Sequence, residues 1–295
     1  MEYEELIKYV DGYENLTDEE EKELIRVAKY ITKEDKSGNY SVSLGNYHYE
    51  NKEFDKALDY YEKAADIGNR DAIENIGYIW YYGRTGEVNI EKAYKYFKKA
   101  EDMGSLRASY KIADMYKNGY YFEKDYDKYV EIIKELYKKI RNETDLFKPL
   151  PEIFSRYAAI KKDEGDIDTA IRVYFIAKDY LAQKIVYDSF FGNYTVMKQI
   201  VKEIYELIDF DEEMFDLYDL FYLLETPNKV DFFYHSNLYM IESVMEGDKC
   251  IIKFNGETYN STNDFFKNAS IDGFKITEIY DELTDFDLIK EDDED

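Results

Sequence analysis

Residues 56–68 read KALDYYEKAADIG, and residues 92–104 read KAYKYFKKAEDMG. Matched positions keep a constant step: Ala57 to Ala93, Ala64 to Ala100 and Gly68 to Gly104 are each 36 residues apart. A fixed period of that length marks stacked helical hairpins, in which no repeat buries its apolar face without its neighbours. The stretch predicts a mainly α protein, and the rest of the chain is read outward from it.

Three helix pairs are expected: Ser41–Asn51 with Phe54–Ile67, Ala72–Tyr82 with Ile90–Met103, and Leu106–Lys117 with Tyr126–Ile140. Small residues recur where paired helices cross: Gly45, Gly77 and Ala113 on the first helix, Ala57 and Ala93 on the second. Small side chains allow close helix approach. Gly68 and Gly104 suit the left-handed conformation that ends a helix. After Pro149 and Pro151 a fourth pair is marked by Phe154, Ala158, Gly165, Ala170, Tyr174 and Ala177. Upstream, Thr17 and Glu20 fit a capping box ahead of the stripe Leu24, Ile25, Ala28 and Ile31. Residues 1–38 are therefore expected to form N-terminal capping helices. Thr195–Leu207 and Asp211–Leu224 carry apolar stripes and are expected to close the stack as a terminal hairpin.

The recurrent string resembles the Sel-one-like repeat, a relative of the tetratricopeptide repeat. Its pattern stands here as Ile76-Gly77, Trp80, Gly83, Asn89, Lys92-Ala93, Tyr96-Phe97, Lys99-Ala100 and Gly104. The next copy runs Ile112-Ala113, Tyr116, Gly119, Asp125 and Lys128, then departs at Tyr129, where Ala is expected. The copy at Leu44-Gly45 has a shorter connection and is closer to an ordinary tetratricopeptide unit. The resemblance covers residues 40–180 and implies a right-handed α-solenoid of antiparallel helix pairs over residues 39–226. It also implies a concave face lined by the first helix of each pair, which contacts peptides or proteins. Carried over by position, that face would include Asn46, Tyr49, Glu74, Tyr78, Tyr81, Tyr110, Asp114 and Lys117.

From Val230 the period changes. DFFYHS, NLYMIESVME and DKCIIKFNG are rich in β-branched and aromatic residues, with turn signals at Gly247-Asp248 and Asn255-Gly256. Ser261 and Asp264 mark a helix start over Phe265-Phe266, and a last helix is expected around Ile276–Leu283. Residues 227–284 are thus expected to be a small α+β C-terminal module, and residues 285–295 an acidic disordered tail.

The chain has 295 residues and a formal net charge of −26, with acid concentrated in the first 25 residues, in 203–231 and in the tail. Between Glu91 and Arg141 the balance reverses, with 13 Lys and Arg against 9 Asp and Glu. Most of such a surface repels phosphate, which argues against direct nucleic-acid binding. The single Cys250 forms no internal disulfide and no thiolate metal cluster. The N-terminal MEYEELIKYV carries acids where a secretory signal carries basic residues, and no apolar run approaches the ~20 residues of a membrane span. A cytoplasmic protein without membrane attachment is expected.

No nucleophile motif, phosphate-binding Gly-rich loop or oxygen-ligand loop for a divalent ion is present. His48 and His235, the two histidines, are far apart in sequence, and His48 is expected to be a packing residue. A non-catalytic interaction scaffold with no cofactor and no metal is expected, its partner a protein or peptide. The charge supplies the alternative: an acidic inhibitor or immunity-type protein that neutralises a basic effector such as a nuclease.

Overall fold

The computed structural model describes residues 36–145, 148–187, 191–208, 216–247 and 249–289. The expected capping helices of residues 1–38 lie, apart from residues 36–38, outside these. The chain forms two compact units, residues 1–136 and 137–295.

The first unit holds the helical repeats: α1 (Asn39–Glu50), α2 (Phe54–Asp66), α3 (Arg70–Tyr82), α4 (Ile90–Asp102), α5 (Leu106–Asn118) and α6 (Tyr126–Ile140), which runs on past Leu136. Local chemistry sets several starts. The side chains of Asn69, Asn89 and Ser105 accept from the backbone N–H of Ala72, Lys92 and Ala108, giving α3, α4 and α5 an N-cap partner each. Gly68 and Gly104 end α2 and α4 at φ 86° and 89°, in the left-handed region anticipated for them.

The repeat period is a packing period. In α4, Ala93, Phe97 and Ala100 fall at i, i+4 and i+7 and are fully buried. They meet Ile73 of α3 and Ala108, Ile112 and Met115 of α5 in one cluster. Ala57, Tyr61 and Ala64 of α2 form the equivalent cluster with Ala72, Ile76 and Ile79. Burying a ring such as Phe97 contributes roughly 1.5–3 kcal/mol. Gly77 is what makes room for it: a Cβ there would lie 2.7 Å from the Phe97 ring. Gly45 stands in the same relation to the Tyr61 ring. The missing side chain therefore accommodates an aromatic ring of the paired helix.

The second unit contains α7 (Leu150–Asp163), α8 (Ile167–Tyr187), α9 (Phe191–Tyr205), a 3₁₀ turn (Leu217–Asp219) and α10 (Leu220–Leu223). Of the single helix expected over Asp211–Leu224, residues 211–215 lie outside the described residues. The remainder is corrected: Asp216 is extended (φ −123°, ψ −179°), and its carboxylate caps a new start at Leu217. The α7–α8 pair agrees with the spacing read from the sequence, with Phe154, Ala158, Ala170, Tyr174 and Ala177 all buried.

A five-stranded antiparallel sheet follows in the order β4-β3-β2-β1-β7, from β1 (Asn228–Tyr234), β2 (Asn237–Glu246), β3 (Lys249–Phe254), β4 (Glu257–Tyr259) and β7 (Leu283–Ile289). The pair β5 (Ser270–Ile271) and β6 (Phe274–Lys275) stands apart. Period-two alternation places Val230, Phe232 and Tyr234 inside and Phe233 outside. α11 (Thr262–Asn268) begins at Ser261, as expected, and brings Phe265 edge-on to Phe254 and Tyr259. The helix expected at Ile276–Leu283 is absent: a 3₁₀ turn at Tyr280–Glu282 leads into β7. β7 pairs with β1, Leu283 opposite Tyr234 and Leu288 opposite Val230. Residues 285–289, assigned by sequence to the disordered tail, thus belong to the sheet, because β1 offers an unpaired edge to any alternating segment that reaches it. Residues 290–295 lie outside the described residues.

Candidate functional site

All eight residues assigned to the expected binding face lie in the first unit, on α1, α3 and α5. Their roles differ. Asn46 is exposed, and its side-chain oxygen accepts from Tyr61 Oη at 2.8 Å and Asn75 Nδ2 at 3.2 Å. Tyr49 is half-buried, rests edge-on against Phe54 and accepts at its hydroxyl from Arg84 Nε at 3.0 Å. Burial lifts the Tyr49 phenol above its usual 10.0, with Arg84 opposing.

Glu74 is buried on α3. It accepts from the hydroxyl of Ser105, the cap of α5, and lies 3.8 Å from the Arg107 guanidinium. Burial raises its carboxyl above 4.5, against the pull of Arg107 and Ser105. Tyr78 packs edge-on to Phe97, and its hydroxyl meets that of Tyr110 at 3.1 Å. Burial, reinforced by Tyr110, pushes the Tyr78 phenol well above 10.0.

These contacts join one repeat to the next. Glu74 and Tyr78 of α3 reach α5, and Asn46 of α1 reaches α3. Three of the eight, Glu74, Tyr78 and Tyr110, are spent largely on stacking. Tyr81 is half-buried, edge-on to Tyr82 at 5.0 Å and to Tyr120 at 6.0 Å. Asp114 stands 3.7 Å from Lys111, and the Lys117 ammonium sits 5.0 Å from the centre of the Tyr129 ring.

The element missing from the sequence-based set is Lys111. Its side chain is buried on α5, and its ammonium lies 5.3–5.6 Å from the ring centres of Tyr78, Tyr81, Tyr82 and Tyr110. It donates to Tyr82 Oη at 2.9 Å. Four phenol rings around one ammonium are a cation–π box. The available signal was three tyrosines on the face plus Tyr82, one residue beyond Tyr81. A lysine amid so many aromatics reads as a solvated charge until α3 and α5 are brought together.

Tyr82 and Tyr120 are each 45% exposed and flank Tyr81, so three adjoining rings reach the surface at the end of α3 and the turn after α5. Elsewhere, His48 is buried, stacked on Tyr60 and bonded to Glu53 at 2.6 Å. Among the described residues, no group of three or more His, Cys, Asp or Glu is arranged to hold a metal ion. No helix among them is long and apolar enough to cross a membrane.

Comparison with known proteins gives the same repeats. Residues 44–69, 70–105 and 106–128 match the Sel1 repeat family. Among solved structures, a Sel1 repeat protein from Oxalobacter formigenes is similar at 22% identity and TM-score 0.44, over 57% of this chain and 62% of that one. A protective antigen of uropathogenic Escherichia coli displaying an SLR fold aligns at 17% identity and TM-score 0.34, over 57% and 41%. The type IV pilus biogenesis factor PilW aligns at 15% identity and TM-score 0.41, over 71% and 93%. The chain thus spans less than two thirds of the length of the first two. No curated protein sequence matches it. The family match ends at residue 128, so α7 and α8 keep repeat-like spacing outside it. Residues 44–128 of this chain are three consecutive Sel1 repeats.

Proposed function

We infer that the first unit is a non-catalytic docking module whose first-helix face, α1, α3 and α5, binds a partner protein. The observation that supports this most directly is the adjoining trio of half-buried Tyr81 and exposed Tyr82 and Tyr120. Rings that are half in solvent yet fixed by neighbouring rings lose little conformational entropy on binding, and Tyr is enriched among the residues that dominate interface energies. The tyrosines behind them, Tyr78 and Tyr110, give a rigid support. A photo-crosslinking residue at position 82 should yield a discrete adduct from native lysate, whereas the same residue at Lys95, on the exposed face of α4, should not. Equal labelling from both positions overturns the assignment.

The net charge of −26 favours a second reading, in which the chain neutralises a basic effector in the cytoplasm. Complex formation would then weaken steeply as salt is added, since exposed charges are screened over about 8 Å at physiological ionic strength. Capture indifferent to salt excludes it.

A further inference from the structure

The turn after α3 carries a cation that the expected binding face did not include. Arg84 follows the C-cap Gly83, and its backbone N–H donates to the carbonyl of Ile79. Its guanidinium lies 5.2 Å from the ring centre of Tyr82, 5.6 Å from that of Phe54 and 5.8 Å from that of Tyr49. Nε donates to Tyr49 Oη at 3.0 Å. Three rings and one hydrogen bond therefore hold the guanidinium in place. Its two Nη groups have no acceptor among the described residues, and both reach the surface. No described carboxylate is ion-paired with it, although Glu50 lies close to Tyr49 and Glu87 is in the same turn. The other two arginines of residues 36–136 are paired, Arg70 with Asp71 and Arg107 with Glu74.

Arg84 also begins a row of contacts along the surface. Beyond Tyr82 comes Tyr81 at 5.0 Å, and beyond Tyr81 comes Tyr120 at 6.0 Å. Acid is scarce here for a chain of this charge. Residues 36–136 carry 16 Lys and Arg against 18 Asp and Glu, so nearly all of the −26 lies elsewhere. We propose that this end of the face takes an acidic segment of a partner protein. A Glu or Asp carboxylate of that segment enters the fork of Arg84 Nη1 and Nη2, and the adjoining apolar side chain lies over Tyr82 and Tyr120.

A guanidinium edge matches the two oxygens of one carboxylate, and a guanidinium already fixed by rings loses little freedom in making both bonds. A Lys or Arg brought to the same place meets the like charges of Arg84 and Lys111 instead. The inference rests on the docking reading of the tyrosine face and adds the chemistry of its partner. It runs against the basic-effector reading at this surface.

The test uses the full-length protein and three fluorescein-labelled peptides in which Pro alternates with Glu, Gln or Lys. Proline pre-orders the peptide and suits an aromatic-lined surface. By anisotropy the Glu–Pro peptide should bind, and the Gln–Pro and Lys–Pro peptides should bind at least tenfold more weakly. This comparison needs no variant, so it stands even if a change at Arg84 disturbs the turn. Arg84→Gln and Arg84→Lys should each weaken Glu–Pro binding tenfold or more, the second because an ammonium keeps the charge without the fork. No binding, equal binding of the three peptides, tighter binding of Lys–Pro, or a folded Arg84→Lys protein that binds Glu–Pro as the wild type does overturns the proposal. The adduct at position 82 judges the docking reading separately. An adduct undiminished by Arg84→Gln removes the acidic partner and leaves the face standing, whereas no adduct in either protein removes both.

Discussion

The ammonium of Lys111 donates to the hydroxyl of Tyr82 at 2.9 Å, which ties the middle of α5 to the last residue of α3. With four rings and Asp114 around it, this cation is part of the joint between adjacent repeats. Lys111→Met keeps the aliphatic stem and removes the charge, and should lower stability by about 1–2 kcal/mol, the range of a desolvated cation–π contact. Urea unfolding checks this, with the midpoint lowered and the slope unchanged. A Met variant as stable as the wild type would reduce the box to simple packing.

Gly77→Ala forces a methyl group against the buried Phe97 ring and should cost about 1–3 kcal/mol as overpacking. The contrast is Gly68, where a Cβ would meet nothing within 4 Å. Gly68→Ala then reports only the strain of a left-handed backbone, roughly 1–2 kcal/mol. Pairing Gly77→Ala with Phe97→Leu should recover part of the loss, whereas Gly68→Ala with Phe97→Leu should be additive.

Glu74 should make the protein more stable in mild acid. Burial raises its folded-state pKa above the unfolded 4.5, so the folded state binds the proton more tightly. Its ionised form is a burden at neutral pH, and that burden lifts as pH falls through the raised folded value toward 4.5. Glu74→Gln should remove this component of the pH dependence and leave stability at pH 7 unchanged or higher. Glu74→Ala, which strips the Ser105 hydroxyl of its acceptor, should cost about 1–3 kcal/mol. Thermal unfolding at closely spaced pH values separates the two variants.

In the second unit, Lys178 is buried on α8 with its ammonium 2.6 Å from Asp219 and 3.1 Å from Asp216. Asp219 is buried as well. Asp219→Asn leaves the ammonium poorly compensated in a dry environment and should cost about 3–5 kcal/mol. The double replacement Lys178→Met with Asp219→Leu should be far milder than either single change. Denaturant titrations of the three variants form the cycle that measures it.

The helical part of the fold was legible because its determinants are local and repeat. Ala57, Ala93, Gly45 and Gly77 recur in fixed relation to aromatic residues, so a period in sequence maps onto a period in packing. The last strand was not legible. LTDFDLI alternates, but its acids continue into EDDED, and only an open β1 edge decides that the first part pairs. The turn at His235-Ser236, with φ 55° and 111°, was likewise hidden, since neither residue is the Gly or Asn that positive φ usually selects and DFFYHS reads as one run. The helix over Asp211–Leu224 failed at Asp216, whose short carboxylate prefers to cap. For the expected binding face, position along the helix placed all eight residues on α1, α3 and α5 without separating rings used for stacking from rings left at the surface. That distinction rests on Lys111, three of whose four rings come from residues about 30 positions away.

Asn69 and Ser105 each have two duties. They cap α3 and α5, and they also grip the preceding repeat, Asn69 through Asn39 and the carbonyl of Ser37, Ser105 through Glu74. Fraying of a helix start and parting of neighbouring hairpins are therefore one event, not two. Partial melting, with one hairpin open while the next stays shut, is penalised twice at the same side chain. Repeats joined by such hinges should come undone all together, and duplicating a segment such as 70–105 would bring the fastening along with the new piece.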